Sequence, residues 1–86
     1  MTAVVAVRIP DGADGDLATE AEQRLGRVEG VGAVTVDGLR GLDPQLSATI
    51  VTLTVAIESR VSADELREHL AATICIDTIE RLAESH

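Results

Sequence analysis

Apolar residues recur along this chain with two different periods, and the switches between them lay out six elements. From Ala3 to Ile9 the run AVVAVRI is rich in β-branched residues. It sets Val5, Val7 and Ile9 on one side and Val4, Ala6 and Arg8 on the other, the period-two signature of a strand. Pro10 and the DGADG that follows break it. Asp16 then stands where a helix cap belongs, ahead of Leu17, Ala21, Leu25 and Val28 at helical spacing. A first helix is therefore expected over residues 16 to 27, ending between Gly26 and Gly30. GAVTVDGL reads as a second strand with Val34 and Val36 on one side, giving way to a turn-rich connection through Gly41, Asp43 and Pro44. The clearest strand is ATIVTLTVAIES, in which Val51, Leu53, Val55 and Ile57 alternate with Thr52, Thr54, Ala56 and Glu58.

A second helix is expected over residues 62 to 72. Ser62 with Glu65 forms a capping-box pattern, Val61 and Leu66 are spaced as a hydrophobic staple, and Asp64 and Glu65 suit the positive end of the helix dipole. Leu66 and Leu70 mark its core face. The tail TICIDTIERLAESH allows two readings, because Ile74, Ile76 and Ile79 are β-branched without strict alternation and no Gly or Pro separates them from the helix. One is a fourth strand over residues 74 to 82. The other is a single helix from Ala63 to Glu84.

Strand, helix, strand, strand, helix, strand most simply folds as two interleaved right-handed βαβ units. The expected class is α+β: a ferredoxin-like βαββαβ sandwich spanning residues 1–86 as one domain, its four-stranded antiparallel sheet carrying both helices on one face. Such a sheet leaves its other face open. Alternation places Val4, Ile50, Thr52 and Thr54 there, apolar enough to be expected as an interface between copies of the chain. A chain of 86 residues is near the size at which one core suffices, so self-association would add stability.

Composition narrows the partners. Fifteen Asp and Glu face seven Arg and no Lys, for a net charge of -8, which opposes nucleic acid and anionic membranes. There is no Phe, Tyr or Trp, so any binding hot spot must be aliphatic or arginine-based, and the stacking of RNA bases on a sheet has no aromatic platform. The carboxylate excess suits a high-salt proteome, where screening removes self-repulsion, and equally a GC-rich genome. Cys75 is alone, which argues against a disulfide scaffold. No apolar run approaches the roughly 20 residues a membrane span needs, and MTAVVAVRIP lacks a signal-peptide pattern, so a cytoplasmic location is expected.

The passage LGRVEGVGAVTVD, residues 25 to 37, carries a helix end, a V-E-G-V turn and a V-x-V strand, and ICIDTIERL follows near the end. Together they resemble the archaeal ferredoxin-like family catalogued as domain of unknown function 211. That resemblance covers residues 3 to 83 and implies the fold and self-association rather than a chemistry. The same V-E-G-V passage is similar to the heavy-metal-associated domain, whose members hold metal on a C-x-x-C after the first strand. The corresponding loop here reads PDGADGD and contains no Cys, so soft-metal transport is not expected.

The remaining chemistry-bearing residues favour structural roles. Asp11, Asp14 and Asp16 share a glycine-containing loop but miss the spacing of an EF-hand, and are expected to be a solvated loop with a helix cap that holds no metal. His69 borders the core face of the second helix without an evident partner, and Cys75 between two isoleucines is expected to be buried and inert. Gly38, Gly41 and Pro44 form no phosphate-binding pattern. No catalytic residue and no cofactor site can be assigned. The expected function is a small non-enzymatic homo-oligomer, regulatory or scaffolding. The alternative is a small-molecule or amino-acid sensor resembling ACT domains, and an enzyme comes third.

Overall fold

The computed structural model describes residues 1–12 and 16–83. In chain order the elements are β1 (Thr2–Pro10), α1 (Leu17–Gly26), β2 (Val31–Pro44), β3 (Ala48–Ser59), α2 (Ala63–Ala71) and β4 (Ile76–Ala83). The strands form one sheet in the order β2-β3-β1-β4, and every neighbouring pair is antiparallel. The α+β class, the four-stranded antiparallel sheet and the two helices are as the sequence led us to expect.

The central pair is built by alternation alone. β1 and β3 run in unbroken register from Thr2 opposite Ala56 to Pro10 opposite Ala48, so Val5 faces Leu53 and Val7 faces Val51. Ala3, Val5, Val7 and Ile9 of β1 and Val51, Leu53, Val55 and Ile57 of β3 are buried, and they share one core cluster with Ala21 and Leu25 of α1 and Leu66 and Leu70 of α2. Both helices therefore cover the same face. Each such Val or Leu removed from water contributes about 1.5–3 kcal/mol, and the aliphatic core rests on that sum without any aromatic ring.

The helix starts follow the capping chemistry. The Asp16 carboxylate accepts from the Thr19 N–H at 2.8 Å and from the Thr19 hydroxyl at 3.0 Å. At α2, Ser62 Oγ accepts from the Glu65 N–H at 3.2 Å, while Val61 and Leu66 both pack into the core as a staple requires. α2 stops at Ala71, with the Ala72 N–H donating to the Glu68 carbonyl and the Thr73 hydroxyl donating to the His69 carbonyl at 2.7 Å. A turn closed by the Ile76 N–H on the Thr73 carbonyl then leads into β4, which excludes one continuous helix to residue 84.

Two boundaries differ from expectation. β4 begins at Ile76 rather than at Ile74, because the turn after α2 uses residues 73 to 76; Ile74 is 98% exposed outside the strand. β2 continues to Pro44, so Gly41, Asp43 and Pro44 lie in the strand and not in a connection. Its pairing with β3 shifts register at Gly32, Asp37 and Arg40, and these bulges let a glycine-rich stretch remain paired at the sheet edge.

Candidate functional site

The open face of the sheet is made by the residues that alternate with the core. In register, Val4 stands opposite Thr54, Ala6 opposite Thr52 and Arg8 opposite Ile50. The ladder thus brings Val4, Ile50, Thr52 and Thr54 together on consecutive rungs of β1 and β3, each half-buried. Ala6, flanked in the ladder by Thr52 and Thr78, is 5% exposed on this face although no helix covers it. Its larger neighbours on the flanking strands shield its methyl group.

Charge is distributed unevenly across the molecule. Arg8 and Arg81 occupy open-face positions opposite Ile50 and Val4. Arg40, at a bulge of β2, lines a cavity of about 380 Å³ on the same face, with Thr2, Val4, Thr54, Arg81 and Ala83. Three of the chain's seven arginines therefore gather on this face. Among the described residues, Asp43 and Glu58 are the carboxylates at open-face positions that pair across the ladder with β3 or belong to it. Asp37, Asp77 and Glu80 fall at register shifts on the two edge strands. Arg40 was not assignable from the sequence, because parity along a strand is lost at a bulge.

Apolar residues are also left uncovered elsewhere. Leu39 and Leu42 pair with Leu53 and Val51, on the helix side of the sheet, yet each is 52% exposed; Leu46 in the following turn is wholly exposed. They form an apolar ledge at the β2–β3 end of the molecule.

Asp11 is exposed and its N–H donates to the Ser47 carbonyl at 3.0 Å, Asp16 caps α1, and Asp14 lies outside the described residues. The hydrogen bonds from the Thr19 backbone and then its side chain hold the Asp16 carboxyl below its ordinary value. Among the described residues no three of His, Cys, Asp and Glu converge as a metal site would require.

His69 does have a partner. Its Nδ1 lies 2.6 Å from the Glu29 carbonyl oxygen, which can only accept, so Nδ1 carries the proton and α2 is tied to the turn between α1 and β2. Gly30 in that turn has φ +91°, and a Cβ there would lie 2.8 Å from Val61 Cγ2 and 3.3 Å from the His69 ring. Cys75 is half-buried rather than buried, and it lines a cavity with Arg8 and Arg24, because the turn after α2 ends at this residue instead of carrying it into β4.

No protein-family model matches the chain, and no curated protein sequence is similar to it. Among the described residues no helix is long and apolar enough to cross a membrane.

Proposed function

We propose that this chain is a small non-enzymatic module that associates with a second copy of itself through the open sheet face, in a regulatory or scaffolding role. The observation that carries the reading is the half-buried patch made by Val4, Ile50, Thr52 and Thr54 on the side opposite both helices. The antiparallel order β2-β3-β1-β4 also supports a ferredoxin-like sandwich, of the kind the resemblance to the archaeal family implies.

Area and charge both favour a second copy as the occupant. Four strands about 4.8 Å apart, the shortest of 8 residues, give a face of at least roughly 500 Å² in plan, so two such faces bury on the order of 1,000 Å², the lower bound for a specific interface. Two chains of charge -8 repel each other over most approaches. The open face, with Arg8, Arg40 and Arg81 set against Asp43 and Glu58, is where they meet with the least repulsion. A closed two-fold dimer is the simplest assembly of this kind.

Light scattering at high micromolar concentration and high salt tests the proposal. The expected mass is that of a dimer, reduced to that of a monomer by Ile50→Glu. A monomeric wild type under those conditions contradicts self-association, and a dimer unaffected by Ile50→Glu contradicts this surface.

A further inference from the structure

β4 pairs with β1 only as far as Ile76 opposite Val7, so the last residues of β1 run on beyond the neighbouring strand. The Arg8 N–H is satisfied by the Cys75 carbonyl at 2.7 Å, and Pro10 has no N–H to offer. The notch left at this corner is a cavity of about 570 Å³, within the range of small-molecule sites. Its floor and walls are largely apolar, from Pro10, Ala72, Ile74 and Cys75, and its charged lining residues are Arg8 and Arg24. Ile74 stands at its rim with 98% of its surface in water, an apolar exposure that the fold does nothing to relieve.

Three features coincide: a concave apolar space, an unburied isoleucine at its mouth, and a lining that among the described residues holds two arginines and no carboxylate, in a chain with fifteen acidic residues. We propose that this corner is a binding site for a small amphipathic carboxylate, its apolar body against Pro10, Ile74 and Cys75 and its single negative charge on Arg8. One charge is specified because Arg24 is already engaged: its guanidinium pairs with Glu20 and donates to the Glu20 carbonyl. Arg8 is left to provide the planar fork that a carboxylate matches, while Glu20 beside Arg24 disfavours a dianion. The site shares Arg8 with the open sheet face, while Ala72, Ile74 and Cys75 lie off that face.

The test is a titration of the 15N-labelled full-length chain with sodium octanoate, followed by amide shifts, with sodium acetate and octan-1-ol as the head-only and tail-only controls. Saturable shifts are expected at Arg8 and at residues 72 to 75, with both controls binding far more weakly. Arg8→Gln is expected to weaken octanoate about tenfold, as loss of a charge-assisted hydrogen bond does. Ile74→Ser, at a position too exposed to affect folding, is expected to weaken it several-fold. The proposal is overturned if octanoate gives no saturable shifts, if Arg8→Gln binds as well as wild type, or if the shifts centre on another surface. Shifts at residues 72 to 75 on simple dilution, with no response to octanoate, would assign the corner to a second copy of the chain and equally overturn it. Because the readout is residue-specific, failure here leaves the sheet-face association standing, and the reverse holds.

Discussion

The two faces of strands β1 and β3 are drawn from alternate residues of the same two segments, yet they have opposite fates. On the covered face Val5, Val7, Leu53 and Val55 have no exposed surface, because two capped helices close over them. On the open face Val4, Ile50, Thr52 and Thr54 retain part of theirs, mixed with hydroxyls and arginines. β-branched character is common to both, so strand propensity does not distinguish them; what differs is whether a helix is available to take the face out of water. The covered face therefore carries folding, and the open face is free to carry recognition.

The largest expected effect comes from breaking the covered side. Leu53→Ala removes a wholly buried side chain at the centre of the sheet and should cost about 2–5 kcal/mol, read as a large fall in the denaturation midpoint. Ile50→Glu, three residues away on the other face and only half-buried, should cost the dilute monomer about 1 kcal/mol, well below the loss at Leu53. If the two variants melted alike, the contrast between the faces would be lost.

Next in size is the turn that lets α1 return to the sheet. Gly30→Ala places a side chain at φ +91° and within 2.8 Å of Val61, and should destabilise by about 1–3 kcal/mol in urea titration. His69→Ala removes the donor to the Glu29 carbonyl that holds α2 to the same turn, and should cost about 1 kcal/mol. An undiminished midpoint in either variant would show that this turn does not anchor the covered face.

The smallest effect is at the start of α1. The Asp16 carboxyl is held below its ordinary value of 3.8, mainly by the Thr19 N–H, so its contribution is fully present at pH above that value and is lost as pH falls through the lower, folded-state value. Asp16→Asn keeps an oxygen to cap the helix and should flatten the acid limb of the stability profile relative to wild type. An unchanged acid limb would assign it to other carboxylates.

How much of this was legible follows from periodicity. β1 and β3 could be read residue by residue because no bulge interrupts their mutual register, and α2 because Ser62 and Val61 sit where capping and stapling demand. β2 could not be bounded, since its register shifts break the period and its glycines resemble turn residues. The onset of β4 was misplaced because β-branched Ile74 looks like strand, whereas the local turn hydrogen bond leaves it in solvent. The His69 to Glu29 contact spans 40 residues and leaves no local trace. The V-E-G-V passage has a physical origin here: positive φ and the close approach of Val61 require a glycine at position 30. Of the candidate interface, parity placed Val4, Ile50, Thr52 and Thr54 on one face, but the arginine at a β2 bulge was beyond its reach.

The open face and the ledge of Leu39, Leu42 and Leu46 are two uncovered surfaces that could receive a second copy, and Leu39 and Leu42 lie on the opposite side of the sheet from the open face. Intermolecular NOEs in an equimolar mixture of 13C-methyl-labelled and unlabelled chains distinguish them directly. The expected result is cross-chain contact from the methyl groups of Val4, Ile50, Thr52 and Thr54, with none from the three leucines. Contacts confined to Leu39, Leu42 and Leu46, or no cross-chain contact at a concentration where the chain is dimeric by mass, would contradict the assignment of recognition to the open face.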